Sequence, residues 1–147
     1  MAKDFFISYT SLDRERAEWI AWQLQEAGYS VVLQAWDFRP GDNFILKMHE
    51  ASKEAERTIA VLSPDYLKST FTQPEWAAAL HDDPLGVVGK LLPIHARECR
   101  KELGGLLGPI VYIDLVGVDE DEARQCLLNG VKRGRQMPKT PPPFPKP

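Results

Sequence analysis

Residues 4–33, DFFISYTSLDRERAEWIAWQLQEAGYSVVL, carry the pattern that decides the fold. Asp4 to Tyr9 is a short apolar run with a strong β bias, the form of a strand covered on both faces. Helical spacing then takes over: Ala17, Ile20, Leu24 and Ala27 recur on one face, Ser11 is the candidate N-cap, acids occupy the first turn and Gly28 is the stop. A second β-rich run, SVVLQA (30–35), follows directly. Strand, helix and strand in succession is the alternation of a parallel sheet with helical crossovers.

The same alternation continues on the C-terminal side. WDFRPGDNF (36–44) breaks the pattern with Pro40 and Gly41, and Asp42 is placed to cap a helix carrying Ile45, Met48, Ala51 and Ala55. RTIAVLS (57–63) reads as the third strand, KLLPIHA (90–96) as the fourth and PIVYIDL (109–115) as the fifth. The stretch from Asp119 to Gly134 reads as a closing helix supported by Glu120 and Arg124 at i, i+4. Five short strands alternating with helices predict an α/β, flavodoxin-like sandwich with a five-stranded parallel sheet in the order 2-1-3-4-5. The sheet and its helices are assigned to residues 1–136. Residues 137–147, MPKTPPPFPKP, hold six of the 12 prolines and read as an extended linker or tail, the spacer to a further C-terminal domain.

A chain of 147 residues that is 44% apolar and 27% charged suits one water-facing domain. No apolar run reaches the ~20 residues of a membrane span, and no leader pattern precedes the first strand, so a cytoplasmic protein without a membrane partner is expected. The net charge is −3, and basic residues cluster only at Lys132, Arg133 and Arg135, which argues against a nucleic-acid surface. Cys99 and Cys126 are widely separated, and His49, His81 and His95 are unclustered, so no metal site or disulfide is predicted.

In open parallel sheets ligands bind beyond the carboxyl ends of the strands, at the switch point. Three loops converge there: residues 9–12, residues 36–43, and Ser63-Pro64-Asp65 leading toward Glu75. They bring Tyr9, Trp36 and Phe38, aromatic groups able to stack on a planar base; the plainer role for Trp36 and Phe38 is a hydrophobic staple on the next helix. Neither a G-x-G-x-x-G nor a G-x-x-x-x-G-K-[ST] loop is present, which excludes the usual dinucleotide and P-loop cradles. The first and third strands end in Ser8-Tyr9-Thr10 and Leu62-Ser63, without the carboxylates of a phospho-acceptor receiver. Glu75 follows Pro74 at the start of an apolar helical run, where an acid ordinarily complements the helix dipole. By themselves these residues leave cap and catalyst both open.

Three segments taken in order, FFISYTSLDRERAEWIAWQLQEAGYSVVL, WDFRPGDNF and RTIAVLSPDYLKSTFTQPEWAAAL, resemble the first three conserved boxes of TIR domains, most closely the bacterial branch. The resemblance covers roughly Asp4 to Leu115. It implies that Arg39, Pro40, Gly41 and Asp42 belong to the BB loop, which shapes the ligand cleft and takes part in domain-to-domain contacts. It also implies that Glu75 is the glutamate with which enzymatic members cleave NAD. Phe71 stands where many such members carry Trp, and Thr10 and Ser11 stand where some carry basic residues. On this resemblance NAD is a substrate, no cofactor is needed, Tyr9, Thr10, Trp36, Phe38 and Phe71 surround it, and copies of the domain self-associate to become active. The resemblance equally admits a non-catalytic adaptor that works only through TIR–TIR contacts. A nucleoside deoxyribosyltransferase-like enzyme also uses a glutamate on N-glycosidic bonds, but its nucleotide-binding loops have no clear counterpart here.

Overall fold

The computed structural model describes residues 3–68, 89–103, 111–133 and 137–146. β1 (Lys3–Ser8) lies at the centre of the N-terminal half, with β2 (Val31–Leu33) on one side and β3 (Ala55–Leu62) on the other. β4 (Leu91–His95) and β5 (Ile113–Asp114) extend the sheet beyond β3, every pair is parallel, and the order is 2-1-3-4-5 as the alternation predicts.

Both faces of the sheet are covered, which is why the strands read as continuous apolar runs. Phe5, Ile7, Ile59, Val61, Leu92 and Ile94 point to one face. There they meet α1 (Arg14–Glu26) through Ala17, Ile20, Ala21 and Leu24, and the last helix, α5 (Glu120–Val131), through Leu127 and Val131. On the other face Phe6 packs on Met48 and Ala51 of α3 (Phe44–Glu54). Ala60 and Leu62 pack there on Tyr66 of α4 (Pro64–Lys68) and on Cys99. A fully buried Ile20 or Leu24 contributes about 1.5–3 kcal/mol each, so α1 is held by its apolar stripe and not by its caps.

Helix ends differ from the sequence reading in instructive ways. Ser11 caps nothing: Ser11–Asp13 form a 3-10 turn and α1 starts at Arg14 with no side-chain cap, because the Asp13 carboxylate is drawn to partners across the sheet. The C-terminal end is as predicted. Gly28 takes φ 98°, its N–H donates to Gln25 O at 3.0 Å, and Tyr29 N–H donates to Leu24 O at 3.0 Å, the two bonds of a Schellman stop. Ala27 is the exposed C-cap, not a core position.

The second strand is shorter than SVVLQA. It ends at Leu33, and Gln34–Asp37 form the single-turn helix α2. Leu33 at the N-cap has no capping side chain, so other side chains take up the donors here: Ala35 N–H donates to the Tyr9 hydroxyl at 3.1 Å, and Leu33 N–H donates to Oδ2 of Asp37, the last residue of the turn, at 2.7 Å. Nor is Asp42 the cap of α3. That role falls to Asn43, whose Oδ1 accepts from Leu46 N–H at 3.0 Å. Ile45 is 66% exposed, and Ala55 opens β3 instead of closing α3.

Candidate functional site

Ser8, Leu33, Leu62 and His95 end four adjacent strands, and the loops leaving them meet at one edge of the sheet. At the centre of that edge is Asp13, whose side chain is fully buried. Its Oδ2 accepts from Thr10 Oγ1 at 3.0 Å and from Ser63 Oγ at 2.5 Å, and its Oδ1 accepts from Arg97 Nε at 2.6 Å. Arg97 also donates through Nη2 to Asp65 Oδ2 at 2.5 Å. Burial alone would raise the Asp13 carboxyl, but hydrogen bonds from Arg97, Ser63 and Thr10 outweigh it and hold the group below the usual carboxylate range. Ser63 Oγ in turn accepts from Tyr66 N–H at 3.1 Å, and the Tyr66 hydroxyl donates to Ser8 Oγ at 2.9 Å. One carboxylate thus binds the loops after β1, β3 and β4 into a single brace. With three donors on it and no exposure, Asp13 positions these loops and is not available as a base.

Tyr9, next to Thr10, links this brace to α2. Thr10 spends its hydroxyl on Asp13. Tyr9 is buried among the core residues, with its hydroxyl occupied by Ala35 N–H, and burial raises its pKa despite that bond. Trp36 is 40% exposed, and its Nε1 donates to Glu18 Oε2 at 3.0 Å; Glu18 also pairs with Arg14 at 2.8 Å. That bond fixes one corner of an indole ring that is otherwise partly exposed. Phe38 is half-buried against the α3 face of the core and meets Phe44, the first residue of α3, edge-on at 6.1 Å; with Asn43 as the cap, this pair lies outside the N′ and N4 positions of a staple. Trp36 and Phe38, neighbours in sequence, therefore have different environments.

Residues 39–42 form an exposed turn closed at both ends. Asp42 N–H donates to Arg39 O at 3.0 Å, and Arg39 N–H donates to Asp42 Oδ2 at 2.8 Å. Pro40 and Gly41, the latter at φ 97°, occupy the central positions that a type II turn reserves for Pro and Gly. The Asp42 side chain is thus used within the turn, which is why the cap of α3 passes to Asn43. Phe71 and Glu75 lie outside the described residues.

A cavity of about 470 Å³ opens beside the brace, between α1 and α5, lined by Glu15, Arg16, Trp19, Ala96, Leu115 and Glu120 among others. It contains none of the residues predicted from the sequence, whereas Thr10 is part of the brace and Tyr9 is next to it. Asp13, Arg97, Ser8 and Tyr66 were not singled out in the sequence. In DRER and HAREC their charges look like those of any solvated helix or loop, and only the strand order brings Asp13 and Arg97 together. His95 is likewise structural: Nδ1 sits 2.9 Å from Asp114 Oδ1 and Nε2 accepts from Cys99 N–H at 3.1 Å. No helix among the described residues is long and apolar enough to cross a membrane.

A family model described as TIR domain matches residues 5–128. The TIR domain of the Toll-related receptor TRR-2 from Hydra magnipapillata is 25% identical, with a TM-score of 0.70 over 86% of this chain and 92% of that one. A metazoan TIR-STING receptor from C. gigas, in complex with 2',3'-cGAMP, is 20% identical with a TM-score of 0.72; the match covers 89% of this chain but 40% of the receptor. The TIR domains of the activated Roq1 resistosome, which directly recognises the pathogen effector XopQ, are 16% identical with a TM-score of 0.68, covering 89% of this chain and 100% of that one. No curated protein sequence matches the chain.

Proposed function

The chain belongs to the TIR domain family, and from that premise we propose that it cleaves the bond between nicotinamide and ribose in NAD, with Glu75 as the catalytic carboxylate. The observation that carries the reading is the brace: Asp13 ties the loops after β1, β3 and β4 together beside the exposed Trp36, so a rigid floor and a stacking ring stand at the edge where open sheets bind nucleotides. The identity of Glu75 in the third conserved box supplies the reacting group.

The chemistry asks little more of the protein. The ring nitrogen of nicotinamide is cationic in NAD and keeps the electron pair of the broken bond to ribose, so nicotinamide departs neutral and the general acid that an O-glycosidase needs for its leaving group is unnecessary. Positive charge grows on the ribose in an oxocarbenium-like transition state. A single carboxylate hydrogen-bonded to the ribose hydroxyls stabilises that charge, more strongly once the cleft excludes water. Attack by water then gives ADP-ribose, and attack by a group of the same molecule gives a cyclic form. NAD is the substrate, and no cofactor takes part. The active form in this reading is an assembly, with the 39–42 turn reshaped by a neighbouring copy.

A second reading, a non-catalytic TIR–TIR adaptor, draws on the exposed Ile45 and Leu46 of α3, 66% and 52% accessible beside that turn. Purified protein incubated with NAD, dilute and artificially clustered, separates the two when products are resolved by chromatography. Nicotinamide release that rises on clustering supports the enzyme; clustering without any nicotinamide release supports the adaptor.

A further inference from the structure

Residues 137–146 are exposed throughout, and Phe144 among them is 93% accessible, so the apolar surface of the tail is left open. The tail carries two lysines, Lys139 and Lys146, and no acid. A segment this rich in proline favours the polyproline II helix, with three residues per turn. On such a helix Lys139, Pro142 and Pro145 share one edge, and Pro138, Pro141 and Phe144 share the next. A helix of this kind is ordered before it binds, and it is recognised by grooves lined with aromatic residues.

The cavity of about 470 Å³ between α1 and α5 matches that chemistry. Trp19 and Leu115 are its aromatic and aliphatic walls, both half-buried against the core, and Trp19 Nε1 donates to Glu120 Oε1 at 3.4 Å. Three carboxylates, Glu15, Asp119 and Glu120, line it against one guanidinium, Arg16. Glu120 is shared with Arg124 at 3.2 Å, whereas Glu15 is exposed and in no ion pair among the described residues. Asp121 and Glu122 follow in the first turn of α5, so the rim keeps an excess of acid after both arginines are counted. The tail leaves beyond Val131, the far end of this helix about 18 Å long, and its prolines resist the reversal that would carry it back to Glu120. A neighbouring molecule supplies its tail without any reversal. We propose that the cavity between α1 and α5 accepts the Pro-rich tail of a second copy of this chain, with Pro142, Phe144 and Pro145 against Trp19 and Leu115 and Lys139 paired with Glu15. Each chain then has one donor and one acceptor in different places, the arrangement of a head-to-tail contact. This contact does not depend on NAD cleavage.

The test is a concentration series of the whole chain, followed at the Trp19 Nε1–H signal by ¹H–¹⁵N NMR and in mean mass by sedimentation. A saturable shift of that signal is expected, with the mass rising in step. Glu15→Lys and Lys139→Glu each change an exposed residue and should melt with the wild type, so weaker association is not a loss of fold. Each raises the dissociation constant roughly three- to tenfold, because reversal replaces an attraction by a repulsion of similar size. Phe144→Ala, in the exposed tail, raises it about tenfold by removing the largest apolar contact. Both charge reversals in one chain restore wild-type affinity, which separates this pair from a general effect of charge. A Trp19 shift independent of concentration would assign the cavity to the chain's own tail and overturn the proposal. So would a rise in mass without a shift at Trp19, or equal affinity in Phe144→Ala.

Discussion

Replacing Asp13 by Asn removes one charge from the brace and almost no volume. The amide oxygen can still accept from Arg97 Nε, and the amide NH₂ then faces the Ser63 and Thr10 hydroxyls, which must rotate to accept. Connectivity survives, but the contact to Arg97 loses its ionised acceptor. Breaking a buried ion pair typically costs 3–5 kcal/mol. Arg97 is 30% exposed, so water partly replaces the lost charge and about 2 kcal/mol is the better figure. For a domain of this size that lowers the melting temperature by roughly 4–8 °C. The pH dependence gives a second signature. The folded Asp13 carboxyl lies below its unfolded value, so the unfolded chain binds more protons at acid pH. Its stabilisation is complete above the unfolded value, about pH 4, and is lost as pH falls through the folded value. Urea unfolding at pH 7 and at steps below pH 4 should show the Asn variant weaker at neutrality and converging on the wild type in acid. Equal stability at pH 7 would refute the view that Asp13 holds the loops together.

Three shorter predictions accompany it. Gly41→Ala forces a Cβ into a residue at φ 97°, costing about 1–2 kcal/mol locally; thermal melting should show that loss, and an unchanged melting temperature would mean that the turn rearranges freely. Trp36→Ala should leave the fold intact while weakening NAD affinity by about 1–3 kcal/mol, measured as the rise in apparent dissociation constant; no change would assign Trp36 to its Glu18 bond alone. The Cys99 thiol, pushed up to about 11 by burial and by Glu102 and Glu98, should alkylate at pH 8 roughly a hundredfold more slowly than the exposed Cys126, and similar rates in a mass-spectrometric time course would contradict its burial.

The elements that were legible in the sequence are those whose signal is local and repeated. DFFISY and RTIAVL are apolar on both faces because both faces are covered, and the α1 stripe of Ala17, Ile20 and Leu24 is the stripe that is buried. The order of the strands followed from their alternation with helices. What was not legible turns on choices between neighbours of equal chemistry. Asp42 and Asn43 are both good caps, and the choice falls to Asn43 because Asp42 is consumed by a turn that only the Pro40-Gly41 geometry creates. Gln34 and Ala35 read as strand until a distant phenol, Tyr9, offers the Ala35 N–H another partner. Asp13 was hidden for a similar reason: Ser63 and Arg97 are 50 and 84 residues away in sequence, and nothing near Asp13 distinguishes it from a surface acid.

The measurement that bears most directly on the central claim is nicotinamide release from NAD by the wild type and by Glu75→Gln, compared at matched protein concentration after thermal melting has shown both to be folded. Glutamine keeps the size and one accepting oxygen of the side chain but cannot balance the charge that develops on the ribose. Removing an electrostatic contact of this kind typically costs on the order of 10²–10³ in rate. The account predicts a loss of that size in Glu75→Gln with its melting temperature unchanged. Wild-type rates of nicotinamide release from the folded variant would contradict it.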